Sequence, residues 1–156
     1  MRLIGFLIVL FFLASCSSTQ ASDPLMDTPN PDKDGSDVIF PTVIPNAYSP
    51  QPIDSSKIRG NFMMDKSTLN IMESYPIQVS LSLSGSLPTP CHELRVDISQ
   101  PDQQFKIQIE VYTVLDPEMM CAQVIKPIEV TIPMGSFPTG KYSVWINGDQ
   151  IGEFDS

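Results

Sequence analysis

The chain has 156 residues, a formal charge of −9, 42% hydrophobic content, 15 prolines, three cysteines and one histidine. That length allows one packed domain and little besides. An acidic surface repels phosphate backbones and anionic headgroups, which argues against nucleic-acid binding.

The N-terminus reads MRLIGFLIVLFFLASCSST: Arg2, an apolar run from Leu3 to Leu13, then Leu13-Ala14-Ser15-Cys16. The run is too short for the roughly twenty helical residues that span a bilayer, and fits the apolar region of a secretory signal peptide. Its ending resembles the lipobox of bacterial lipoproteins. The resemblance implies that residues 1–15 are removed and that Cys16 is diacylated with palmitate-type chains and becomes the new N-terminus. It further implies attachment to the cell membrane or outer membrane, facing the extracytoplasmic side. Two or more acyl chains suffice for stable anchoring.

Residues 16–55 follow as the lipidated cysteine and an acidic, Pro-rich tether. It carries prolines 24, 29, 31, 41, 45, 50 and 52, and too little apolar surface to offset the entropy of ordering. The segment is expected to stay extended or disordered, with Val38-Ile39-Phe40 and Val43-Ile44 as candidates to dock on the domain as an edge strand. Asn30 to Gly35 looks like the start of a calcium loop, but Pro41 stands where the bidentate glutamate is needed. A solvated tether is the simpler reading.

From about residue 56 to 156 the period changes to two. Ile77, Val79, Leu81 and Leu83 alternate with Gln78, Ser80, Ser82 and Ser84, the pattern of a half-buried strand. Leu94 to Ile98, Phe105 to Leu115, Val124 to Ile132, Tyr142 to Ile146 and Ile151 to Phe154 continue it. Weaker strands are expected around 58–64 and 68–73. Asn147-Gly148 supplies the left-handed residues of a tight hairpin. Seven to eight short strands with frequent turns predict an all-β protein, an antiparallel β-sandwich. Gly140-Lys141-Tyr142-Ser143-Val144 resembles the tyrosine-corner region of immunoglobulin-like and fibronectin-like domains. That resemblance implies a tyrosine hydroxyl bonded back to the preceding corner, and it supports an architecture rather than an activity.

With Cys16 lipidated, Cys91 and Cys121 remain, and an exported chain most simply pairs them. In a simple meander they would sit two strand spacings, about 9.6 Å, apart, beyond the roughly 7 Å that a disulfide allows between α-carbons. The bond therefore requires converging loops or strands in different sheets, and we expect a bridge between two loops at the end of the sandwich. The alternative is copper handling, with Cys91, His92, Met119, Met120 and Cys121 as soft ligands. One histidine falls short of a blue-copper site, so no metal and no cofactor is expected. Catalysis fares poorly too. A serine triad would have to use His92, no nucleophile-elbow pattern occurs, and the domain offers little cleft. For binding, Trp145 stands out, sharing a face with Lys141, Ser143 and Asn147; Tyr112 and Val114 break the polar face of their strand and would join Trp145 in an apolar patch if the strands were neighbours. The segment "SGSLPTPC" before Cys91 is the candidate loop for a protease-inhibitor reading. The expectation is a membrane-anchored, non-catalytic binding or structural module of the cell envelope, with its protein or glycan partner unknown.

Overall fold

Period-two patterning yields nine strands in the computed structural model, which describes residues 42–156. They are β1 (Thr42–Val43), β2 (Ile58–Asn61), β3 (Met63–Met72), β4 (Ile77–Leu87), β5 (Glu93–Ile98), β6 (Lys106–Leu115), β7 (Lys126–Phe137), β8 (Lys141–Ile146) and β9 (Asp149–Asp155). A short 3-10 turn spans Pro52–Ser56. The signal peptide, Cys16, Val38 to Phe40 and the calcium-like Asn30 to Gly35 lie outside the described residues.

The strands form two facing sheets. One has the order β1-β7-β4-β3 and is antiparallel throughout; the other is built on β6. β5 pairs with one edge of β6, while the opposite edge is shared: β8 takes residues 106–109 and β2 takes residues 112–115. β9 lies outside β8. Alternation decides what is buried. Val79, Leu81 and Leu83 of β4, Ile107, Ile109 and Val111 of β6, Val130 and Ile132 of β7 and Val144 and Ile146 of β8 form the core between the sheets.

Three details depart from the expected sandwich. The strand count is nine because β1 adds a short edge and because the chain changes sheet at Phe62. There β2 ends in one sheet and β3 begins in the other, with the Phe62 ring buried at the crossing. Gly85 makes room for it, since a β-carbon there would stand 2.6 Å from Phe62 Cζ. Secondly, β6 and β8 run parallel, because β7 intervenes in the other sheet and returns the chain to the end from which β6 started. Thirdly, Val124, expected in a strand, lies in the exposed β6–β7 connection, and β7 begins at Lys126.

Asn147 reconciles the shared edge of β6. β8 stops at Ile146, and Asn147 takes φ +50° with Gly148 at +99°, the left-handed pair expected of the hairpin. The Asn147 N–H donates to Ile109 O (2.9 Å), its Nδ2 donates to Val111 O (3.0 Å), and its Oδ1 accepts from Val111 N–H (2.9 Å). The side-chain amide thus substitutes for a backbone partner in the gap between β8 and β2. The tyrosine corner is formed as well: Tyr142 Oη donates to Pro138 O at 3.1 Å.

The folded region also reaches further toward the N-terminus than residue 56. β1 pairs with Gly135 and Ser136 at the edge of β7, so docking involves Thr42 and Val43. Residues 44–57 then pass from that sheet to the other. Tyr48 O accepts a hydrogen bond from Val96 N–H on β5 (2.8 Å), and the chain arrives at the far edge of β6 as β2. This strap is held by Arg95, whose outward-pointing side chain is nevertheless 4% exposed. Arg95 donates to both oxygens of Asp54 (2.7 and 3.0 Å) and to Glu93 (2.6 Å), and Lys57 donates to Glu93 (2.8 Å). Composition alone marks residues 44–55 as tether; one buried guanidinium that needs a carboxylate partner draws them onto the sheet.

Candidate interaction surfaces

Cys91 lies in the β4–β5 connection and Cys121 in the β6–β7 connection, and their sulfurs are bonded with α-carbons 6.0 Å apart. The meander distance does not apply because β7 belongs to the other sheet. Both connections cross between sheets at the same end of the sandwich, so the loops converge. Pro88 precedes and Pro90 lies within a compact turn, residues 89–92, in which His92 N–H donates to Thr89 O (3.2 Å), and His92 Nδ1 and Thr89 Oγ1 share a hydrogen bond of 2.8 Å. Cys91 N–H donates to Cys121 Sγ at 3.1 Å.

This geometry bears on two readings of the sequence. The two sulfurs are spent on each other and are not free thiolate ligands for copper; among the described residues no group of three or more His, Cys, Asp or Glu side chains could hold a metal ion. The segment "SGSLPTPC" is not an exposed loop. Ser84 to Leu87 run within the central strand β4, and Leu87 and Thr89 are buried. The displayed loop at this end is the other half of the bridge, residues 116–125.

Trp145 and Tyr112 both lie on the outer face of the five-stranded sheet. β6 does neighbour β8, but Trp145 stands opposite Gln108, and Tyr112 is four residues, about 13 Å, further along β6. Gln108 and Glu110 separate them, and Val114 is buried. The expected single apolar patch is therefore two separate aromatic–cation pairs. Lys106 Nζ sits 4.1 Å from the centroid of the Trp145 ring, whose Nε1–H donates to Ser143 Oγ (3.2 Å). Arg59 Cζ sits 3.7 Å from the Tyr112 centroid while its Nη2 donates to Glu110 Oε2 (2.9 Å). Burial pushes the Tyr112 hydroxyl above its ordinary pKa, with the Arg59 charge opposing. Such pairs present a polarised, half-buried ring with hydrogen-bonding groups beside it, a surface suited to a polar partner. Sequence spacing carries no trace of the Arg59 pair, because Arg59 arrives from β2 across the sheet edge.

The model of the ORF11 beta-sandwich domain family matches residues 81–156, from within β4 to the C-terminus. The uncharacterized 10.2 kDa protein in HgiCIIM 5′ region of Herpetosiphon aurantiacus is 32% identical over 89 residues, which cover 54% of this chain and 90% of that protein. No solved structure matches.

Proposed function

The chain carries an ORF11 β-sandwich domain and belongs to the same family as the Herpetosiphon protein, and from that premise we propose that it is a lipid-anchored, extracytoplasmic binding module without catalytic activity. The observation that carries this reading is the Cys91–Cys121 bond. Stable disulfides belong to oxidising compartments, and pairing these two leaves Cys16, directly behind an apolar run, as the third cysteine of the chain. A thiol in that position is the group that lipidation uses. Binding is assigned to the outer face of the five-stranded sheet, where Trp145 and Tyr112 stand with their cations.

The test is made in a bacterium expressing the full chain and fed an alkyne-bearing fatty acid. The wild type takes up label and sediments with membranes, whereas Cys16→Ser takes up none and stays soluble. Alkylation under denaturing conditions adds no group to Cys91 or Cys121 until reductant is added. Label retained by Cys16→Ser, or free thiols at Cys91 and Cys121 before reduction, would overturn the reading.

A further inference from the structure

The β6–β7 connection, residues 116–125, displays more apolar side chain than any other loop among the described residues. Met119 is 52% exposed, Met120 96%, Val124 60% and Ile125 60%. Water-exposed apolar groups in such density mark contact surfaces when they are held in place, and here they are. Cys121, immediately after Met120, is bonded to Cys91, whose own N–H also reaches the Cys121 sulfur. Cys91 in turn sits in the turn of residues 89–92, closed by the hydrogen bonds between Thr89 and His92. The loop is thus pinned from beneath at its midpoint.

Its main chain is open on the other side. The first turn is capped by Asp116, which accepts from Glu118 N–H through its side chain and from Met119 N–H through its carbonyl. From Met119 to Cys121 the chain then runs without a turn or bend, before Val124 N–H donates back to Ala122 O at 2.9 Å. No backbone hydrogen bond within the described residues uses the N–H of Met120 or the carbonyls of Met119 and Met120. A pinned segment whose Met119 and Met120 main-chain groups are free, with one fully projecting, unbranched apolar side chain, is complementary to a particular kind of cleft. That cleft pairs with an extended main chain and has a deep apolar pocket beside it. We propose that the Met119–Ala122 segment docks in the substrate cleft of a serine endopeptidase with an apolar primary pocket, Met120 entering the pocket, and that it acts there as an inhibitor.

The bridge explains why docking would not end in cleavage. If the peptidase hydroxyl attacks the Met120 carbonyl, the Met120–Cys121 peptide bond breaks. An ester forms, and the hydroxyl proton passes through the peptidase base to the Cys121 amine. Cys121 stays tied to Cys91, so the amine remains beside the ester and re-forms the peptide, returning the proton. Pre-organisation by the bridge also removes ordering entropy that a free peptide would lose on binding.

The proposal rests on the reading of the chain as a non-catalytic binding module but not on its lipid anchor, so fatty-acid labelling and inhibition succeed or fail separately. The experiment uses the full chain purified in mild detergent, with chymotrypsin and subtilisin as apolar-pocket probes and trypsin as the control. Amide-substrate hydrolysis by at least one of the first two is expected to be inhibited at one-to-one stoichiometry, and trypsin left active. Met120→Asp weakens inhibition by at least about 30-fold, the loss of a central anchor. Met120→Leu retains it, and Tyr75→Asp, altering the 89% exposed tyrosine of the β3–β4 turn, leaves it unchanged. No inhibition by about 10 μM protein, rapid cutting after Met120 without inhibition, or inhibition indifferent to Met120→Asp would each overturn the proposal.

Discussion

At the end of the sandwich where β8 begins, Phe105, Phe137, Tyr142 and Phe154 pack ring on ring, with centroids 5.0 to 5.3 Å apart. There the C-terminus is tied in as well, Gly140 and Ser156 exchanging backbone hydrogen bonds of 3.0 and 2.9 Å. At the opposite end no such cluster exists among the described residues; the join is the bond between Cys91 and Cys121, and Met119 and Met120 stand in water. One end is stabilised by burying apolar surface in the folded state. The other also buries Phe62, Leu87 and Leu94, but adds a bridge that restricts the unfolded chain and lets neighbouring apolar side chains stay on display. A small domain that must expose a contact surface gains from this division, because a bridge adds stability without burying the side chains beside it.

The largest effect should come from the aromatic end. Phe137→Ala removes a fully buried ring from contact with two others, and is expected to cost about 3–5 kcal/mol in urea unfolding. Replacing Cys91 and Cys121 together with serine opens a loop of 30 residues. The expected cost is about 3–4 kcal/mol on the chain-entropy account, with the aromatic end still folded in the near-ultraviolet circular dichroism spectrum. If the aromatic signal were lost along with the bridge, the two ends would not be independent.

A third prediction probes the strap, which joins the two halves. Asp54→Ala leaves the buried Arg95 with Glu93 as its remaining carboxylate, and should cost about 2–3 kcal/mol. Acid should act in the same direction. The Arg95 guanidinium holds the Asp54 carboxyl below its usual pKa, and Lys57 with Arg95 does the same for Glu93. Both groups then bind a proton more weakly folded than unfolded. Their contribution is complete above the ordinary carboxylate values near 4 and is lost as pH falls through the lower folded values. Thermal melts from pH 6 to pH 2 should show the wild type losing more stability than Asp54→Ala. The smallest effect belongs to the display: Met119→Ser with Met120→Ser should change stability by less than about 0.5 kcal/mol, since neither side chain is buried.

Much of this was legible in the residues themselves. Alternation located β4 to β9 because a strand with one buried face must repeat every second residue, and Asn147-Gly148 marked its hairpin because few other residues accept the left-handed conformation. The cysteine pairing could be argued from count and compartment. The display loop could not. Both bridge loops contain proline and apolar residues, and sequence pattern favoured "SGSLPTPC", whereas the fold buries that segment as the end of a central strand and turns residues 116–125 outward. Strand adjacency does not by itself join the aromatics: β6 and β8 are neighbours, but their parallel register places Trp145 beside Gln108 instead of Tyr112.

Local chemistry therefore determined, without any tertiary information, that the chain is all-β, that its core alternates, where it turns and which thiols have a partner within the domain. Tertiary structure alone decided which sheet each strand joins, that residues 44–57 lie across β5 and β6, that Asn147 completes the edge of β6, and which half of the bridge faces solvent. The reason is physical. Periodicity and turn propensity are set by neighbours in sequence, while pairing and exposure depend on contacts such as Arg95 with Asp54 or Phe62 over Gly85, made between residues far apart in the chain.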